Sequence, residues 1–454
     1  MTAGKILSTS LVKDILISII LIFWVILFTA LFEKPLSYNG GLGWDGLAYY
    51  RIAQQIRDGQ QPTYNPPYVY RLGTPFLVAI LFSNNLLLGF KAVNIAGSLL
   101  SILLLLILLR RYLKNRVIRM ILVGLFITQS MGPLRTSLFS PTQVEPGSIA
   151  FNLLGFIFVC ILQKEKPRRY IFIFGLVSFL GTLIRESTIL IPFVYMISKT
   201  LDIFQSQPEY NLEKIKFWIS STIPFIGGLI GIICTHTFAV PTNDYSILTA
   251  AIYWIYEKPI LAYVYGYFIT YGPMISILYP ARNVVMDFLA GHRFELYYLV
   301  VISGLAWIIG SDTDRFLYWA IPIWYIMFGL ALEYLWPVLK KSWGLFLVLL
   351  FLQGLAQRSF LPTPDYAPEN IQYRIPLMTV ICNDGCLLDI PSYHGLAGSG
   401  LNAASCSVIP CYWNGKIFYL KLFLLLENIL VTCLLLLGLL RAERRLNYSV
   451  AAPA

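Results

Sequence analysis

Ile15-Leu16-Ile17-Ser18-Ile19-Ile20-Leu21-Ile22-Phe23-Trp24-Val25-Ile26-Leu27-Phe28-Thr29-Ala30-Leu31-Phe32 runs for eighteen residues without a charge. At about 1.5 Å per residue, a helix of this length covers most of the ~30 Å hydrocarbon layer of a bilayer. Lys5 and Lys13 precede it, and no small-x-small cleavage site comes before Glu33, so it reads as an uncleaved signal anchor. Similar runs recur along the 454 residues, of which 57% are hydrophobic and only 13% charged. Soluble domains carry about a quarter charged residues. In lipid only helices and closed barrels satisfy the backbone. The runs show no period-2 alternation, which excludes an outer-membrane barrel. The fold class expected is an all-α polytopic membrane protein.

The net charge of +11 sits in short clusters between the apolar runs. These are Arg110, Arg111, Lys114, Arg116 and Arg119; Lys164, Lys166, Arg168 and Arg169; Lys340 and Lys341; and Arg441, Arg444 and Arg445. This is the positive-inside pattern, and it orients a chain without needing an acidic partner. No basic stripe interleaved with aromatics occurs, so nucleic acid is not expected as a partner.

Placing these clusters in the cytoplasm gives about twelve transmembrane helices with both termini inside. The membrane expected is the plasma (inner) membrane, with the endoplasmic reticulum as the alternative. The expected spans are 15–32, 89–109, 117–132, 147–163, 170–184, 187–200, 216–235, 267–288, 294–310, 316–336, 342–357 and 418–440. Residues 73–82 are apolar but too short to cross and belong at the interface. The chain divides into a transmembrane core over 1–357 with a first external loop at 33–88, an external loop at 358–417, and a last span with its tail at 418–454. The external loop 358–417 carries Cys382, Cys386, Cys406 and Cys411. On an oxidising face these read as two disulfides of undetermined connectivity, with a zinc site as the rival.

Just past the first span comes Gly43-Trp44-Asp45-Gly46-Leu47-Ala48-Tyr49-Tyr50. From Asp45 to Asp58, Ala48, Ile52 and Ile56 recur at helical spacing, which predicts an amphipathic helix on the membrane with its polar face outward. Asp45 lies in its first turn. There a carboxylate either caps the helix or serves as a general base at the water–lipid boundary.

Trp44-Asp45-Gly46-Leu47-Ala48-Tyr49-Tyr50 resembles the W-D-x-x-x-Y type motif of GT-C glycosyltransferases, particularly their mannosyltransferase-like branch. Leu183-Ile184-Arg185-Glu186-Ser187-Thr188 at a tight outer hairpin extends the resemblance. So does Asp314-Arg315-Phe316 followed by Pro322, similar to the R-Y/F-x-x-x-x-P stretch of a late span. The resemblance implies a GT-C-like core with juxtamembrane helices in the first external loop. It implies transfer of a hexosyl or pentosyl group from a polyprenyl-phosphate sugar lipid to a glycan, lipid or protein acceptor, with inversion. Asp45 would be the catalytic base, and Glu145, before the fourth span, a second catalytic acid. Arg185 and Arg315 would bind the donor phosphate, with Trp44, Tyr49, Glu186 and Asp314 as substrate-binding residues. Many relatives carry paired acids in the first loop, whereas Gly46 follows Asp45 here, which leaves a divalent metal ion open as a cofactor.

From the residues themselves, a guanidinium at the leaflet boundary offers a planar fork to phosphate oxygens. The bland alternatives are an Arg185–Glu186 pair closing the hairpin, and Arg315 pairing with Asp312 and Asp314 or snorkelling to headgroups. The aromatics of 252–279, among them Tyr253, Tyr256, Tyr263, Tyr267 and Tyr271, read as an interfacial belt or as a wall for sugar and isoprenoid. Glu427, beside Asn428, reads as a helix–helix hydrogen-bonding group. The rival functions are a polysaccharide polymerase or ligase, a lipid-linked glycan transporter, and a scaffold subunit.

Overall fold

The computed structural model describes residues 9–33, 36, 38–43, 45–165, 168–205, 212–244, 246–258, 260–309, 313–359 and 415–451. Trp44, Asp312 and the four loop cysteines Cys382, Cys386, Cys406 and Cys411 lie outside them. The protein is an all-α membrane protein. Among the described residues, seven helical stretches are long and apolar enough to cross a bilayer: Leu11–Phe32, Leu86–Tyr112, Arg116–Phe139, Glu145–Gln163, Trp218–Phe238, Thr313–Lys341 and Leu425–Arg444.

The first half of the chain builds the frame. Helix α1 (Thr9–Phe32) is followed by the short α2 (Asp45–Arg57) and α3 (Gly73–Leu81), and then by the long α4 (Leu86–Tyr112). Next come α5 (Arg116–Thr128), α6 (Pro133–Phe139), α7 (Glu145–Glu165), α8 (Arg168–Ile184) and α9 (Leu190–Gln205). Helix α3 has nine residues, too few to cross, and it packs between α2 and α4. The Asn85 side chain caps α4 by accepting from the Leu88 N–H at 3.0 Å. Gly132 and then Pro133, at the first position of α6, bend the chain after α5, because proline starts a helix without wasting an N–H.

The second half packs against this frame. It comprises α10 (Leu212–Ser221), α11 (Ile223–Phe238), α12 (Ile247–Glu257), α13 (Ile260–Tyr271), α14 (Arg282–Gly291), α15 (Arg293–Ile308), α16 (Thr313–Leu317), α17 (Ile321–Lys341), α18 (Trp343–Ala356) and α19 (Gly415–Ala451). Gly175 of α8 meets Gly227 of α11, and these small residues let the two backbones approach closely. The apolar part of Thr313–Lys341, which contains α17, is 72% buried, and that of Leu11–Phe32 in α1 only 11%. So α17 is the axis of the core, while α1 leaves Leu16, Ile19, Ile20 and Phe23 exposed, as a lipid-facing helix does. A two-residue parallel pairing of β1 (Thr63–Tyr64) with β2 (Val240–Pro241), Thr63 opposite Val240, ties the first loop to the segment after α11.

The segment expected as one span over 267–288 is broken. Helix α13 stops at Tyr271, a 3-10 turn covers Pro273–Leu278, and α14 begins at Arg282. Gly272 adopts φ 67°, which a side chain would disfavour, and Pro273 brings no N–H to continue the ladder. The buried Gln353 of α18 satisfies the backbone groups freed by the break. Its Oε1 accepts from the Met274 N–H at 2.9 Å, and its Nε2 donates to the Tyr271 carbonyl at 2.9 Å. The stretches expected at 170–184, 187–200, 294–310 and 342–357 form α8, α9, α15 and α18, each of 17 residues or fewer.

Candidate functional site

A small apolar cluster, separate from the main core, sits under α2 and α3. It contains Tyr49, Ala53, Val78, Leu86, Phe90, Val144 and Ile184. Three of its members neighbour charged residues in the chain: Tyr49 lies one turn beyond Asp45, Val144 precedes Glu145, and Ile184 precedes Arg185. Burial of large apolar side chains, about 2 kcal/mol each, therefore fixes where these charges emerge. The helices bring acids to their ends: Asp45 occupies the first turn of α2 and Glu145 the first turn of α7, where the helix dipole favours negative charge.

Below Glu145, α4 presents Asn94, Ser98 and Ser101 at i, i+4 and i+7. The Asn94 amide donates to the Pro141 carbonyl at 2.6 Å and the Gln143 carbonyl at 2.5 Å. The Ser98 hydroxyl meets that of Ser137 at 2.7 Å. This polar stripe pins the loop that delivers Glu145.

Four charges from four segments meet there. Arg315 Nη2 donates to Asp45 Oδ2 at 3.1 Å and also to Glu145 Oε1. Arg185 Nη1 donates to the same Glu145 oxygen at 2.6 Å. The Arg185 guanidinium also lies 5.3 Å from the centre of the Trp319 ring. Asp45 is 8% exposed and Arg185 4%. Glu145 thus bridges two guanidiniums, and Arg315 bridges two carboxylates.

A second group adjoins the first. Arg71 grips Glu186 through Nη2 to Oε1 at 2.6 Å and Nε to Oε2 at 3.0 Å. Its Nη1 donates to the Tyr49 hydroxyl at 2.8 Å. Burial resists ionisation of Glu186, but the Arg71 guanidinium outweighs it and holds the carboxyl below its ordinary range. The Asp45 charge, and burial after it, push the Tyr68 phenol well above its ordinary range, so it stays protonated beside that carboxylate. Tyr70 stacks on His236 of α11 at 3.7 Å between ring centres.

Asp45, Glu145, Arg185 and Arg315 come together. Tyr49 is fully buried under Arg71, as part of the floor. The pairing anticipated within Arg185-Glu186 is replaced: Arg185 binds Glu145, and Glu186 binds Arg71, because α3 and the preceding turn bring Arg71 to the hairpin. Arg315 reaches across to Asp45 and Glu145. Asp314 stays at the rim in α16, where its carbonyl accepts from the Thr270 hydroxyl at 3.3 Å. Helix α2 turns its polar face outward, with Arg51, Arg57 and the following Asp58 exposed, and packs its other face into the protein. Asp45, Tyr49, Ile52 and Ala53 are buried against the protein.

Sequence reasoning brings Arg71, after the Pro66-Pro67 turn, toward a phosphate but does not assign it to the site. It also missed Tyr68 and Trp319, which carry no motif. The aromatic segment splits in two: Tyr256 on α12 is 83% exposed, as in an interfacial belt, whereas Tyr271 stacks on Trp324 at 4.1 Å. Glu427 and the buried Asn428 lie along α19.

Among the described residues, no three His, Cys, Asp or Glu side chains gather as a metal site. Arg315 Nη2 already contacts both Asp45 and Glu145, so this arrangement does not fit a cation bridged by these two acids. No protein-family model matches the chain, and no curated protein matches it.

Proposed function

We propose that this protein is a membrane glycosyltransferase of GT-C type, transferring a sugar from a polyprenyl-phosphate donor to an acceptor hydroxyl with inversion. The observation that carries this reading is the meeting of Asp45, Glu145, Arg185 and Arg315, drawn from four segments, at one end of an apolar helical body. About twelve crossings with both termini in the cytoplasm belong to the same reading, as does a plasma-membrane location with the cluster facing outward. The shorter helices α8, α9, α15 and α18 and the broken α13–α14 segment would supply the additional crossings.

In this mechanism Asp45 accepts the proton of the acceptor hydroxyl. The acceptor oxygen bonds to the anomeric carbon from the face opposite the phosphate. The bond from that carbon to the phosphate oxygen breaks, and polyprenyl phosphate leaves with the electron pair. Arg185 and Arg315 balance the charge that grows on the leaving phosphate. Glu145 holds the two guanidiniums in register before the donor arrives. Arg315 is shared, so a phosphate that engages it competes with Asp45 for its Nη2 and frees the carboxylate to act as base.

The test is transfer from a labelled polyprenyl-phosphate sugar by the protein reconstituted in liposomes. Asp45→Asn keeps the shape of the site and removes the base, so the rate should fall by about 10²-fold or more. Full activity in both Asp45→Asn and Arg315→Ala would refute the proposal.

A further inference from the structure

At the end of the helical body opposite the Asp45 cluster, a single buried carboxylate organises three arginines. Asp14 of α1 is fully buried. Its Oδ1 accepts from Arg116 Nε at 2.6 Å, and its Oδ2 accepts from Arg110 Nη1 at 2.8 Å and Arg119 Nη2 at 3.3 Å. Helix α4 sets the separation from the other site: Asn94 reaches the loop before Glu145, and Arg110, sixteen residues further on, lies about 24 Å along the axis.

Charge is not balanced at this end. Lys13 and Lys114 are exposed, and the Arg116 side chain is 39% exposed. Two further acids contact this turn among the described residues: Glu333 accepts from the Asn115 backbone N–H, and Glu295 accepts from the Tyr112 hydroxyl at 3.0 Å. Among the described residues, Lys13, Arg110, Arg111, Lys114, Arg116 and Arg119 therefore outnumber the contacting carboxylates Asp14, Glu295 and Glu333. The Arg119 Nε–H is buried and has no hydrogen-bond partner among the described residues. Such a donor costs about 1–3 kcal/mol when left unsatisfied.

The cations border an apolar strip. Val12, Leu16, Ile19 and Ile20 of α1 and Val117 of α5 are all more than 40% exposed. A cationic head beside a hydrocarbon-facing groove is complementary to a molecule with an anionic head and apolar tails. We propose that this end of the protein binds an anionic phospholipid. Its phosphate is held by Arg116 and Lys13, and its acyl chains lie along Leu16, Ile19 and Ile20. This site is independent of the transferase reading.

The experiment is native mass spectrometry of the full-length protein released from nanodiscs of mixed phosphatidylcholine and phosphatidylglycerol. The wild-type protein should retain phosphatidylglycerol in preference to phosphatidylcholine. The preference should fall about fivefold for each cation removed in Lys13→Gln and in Lys13→Gln/Arg116→Gln. Lys340→Gln/Lys341→Gln, in a different basic cluster, should leave it unchanged. If Arg116→Gln does not fold, Lys13→Gln and Lys114→Gln carry the test alone. Equal retention of the two lipids by the wild type, or undiminished preference in the variants, overturns the proposal. Displacement of phosphatidylglycerol by inorganic phosphate at equal concentration overturns the lipid assignment and leaves a simple phosphate site.

Discussion

Arg315 Nη2 donates to Asp45 Oδ2 at 3.1 Å, although 270 residues separate the two in the chain. The same nitrogen serves Glu145, so one guanidinium joins α2, α7 and α16. Arg315→Ala would leave Glu145 paired with Arg185 and take from Asp45 the guanidinium it now contacts. Because Arg315 is 27% exposed, the cost should lie below that of a fully buried pair, at about 2 kcal/mol. Glu145→Gln in the same chain removes one of the two charges that Arg315 joined. The double variant should therefore unfold nearer the wild-type temperature than the sum of the single losses implies. Additive losses would show that the three residues are not coupled.

The Arg71–Glu186 pair gives a pH dependence with a definite sign. Burial opposes ionisation of Glu186, yet the Arg71 guanidinium holds its folded pKa below the ordinary value of about 4.3. A depressed carboxyl stabilises the fold above its unfolded pKa and loses that contribution as pH falls through the folded one. Glu186 is 37% exposed, so water screens part of the effect. Thermal unfolding in detergent should show the wild type losing more stability than Glu186→Gln as the pH drops from about 5 to about 2. Parallel curves for the two proteins would remove the pair from the acid response.

The helical class and most helix positions were legible because eighteen-residue apolar runs and inter-span basic clusters are strong local signals. Asp45, Arg185 and Arg315 were legible as candidates because each lies beside an apolar run on the expected outer face, and Glu145 because the resemblance implies a second acid there. Their partners were not. Which acid an arginine meets depends on how α3 and α16 pack, and nothing local in Arg185-Glu186 tells that Arg71 will take Glu186. The break at Gly272 carried a local signal in Gly272-Pro273, but not the distant partner that makes it tolerable in an apolar interior. The run 267–288 is apolar throughout its middle, and the group that satisfies the broken backbone, Gln353, comes from a distant helix.

Gly46 sets how closely α2 approaches the turn before α7. A Cβ there would collide with the Thr142 hydroxyl and lie 2.9 Å from the Thr142 Cβ. Thr142 cannot simply rotate away, because its hydroxyl donates to the Leu42 carbonyl at 2.8 Å. Gly46→Ala should cost about 1–3 kcal/mol by overpacking. It should also lower transfer more than stability, since it displaces the neighbouring Asp45. Adding Thr142→Ala should recover part of both losses, measured by thermal unfolding and by the liposome assay.

Gln353 is the support on which the broken α13–α14 segment rests. It is fully buried, and it satisfies one N–H and one carbonyl that the turn at Gly272 leaves outside the helical ladder. Gln353→Leu keeps nearly the same volume and removes both hydrogen bonds, so cavity formation does not enter. Two stranded backbone groups in an apolar interior should cost about 2–4 kcal/mol. Gln353→Glu keeps the acceptor for the Met274 N–H but provides no donor to the Tyr271 carbonyl when ionised, so it too should destabilise. The Tyr271–Trp324 stack, at 4.1 Å, sits beside the break and reports on it. Tryptophan fluorescence during thermal unfolding should show an earlier transition in Gln353→Leu. An unchanged midpoint would mean that the break at Gly272 stands without the amide.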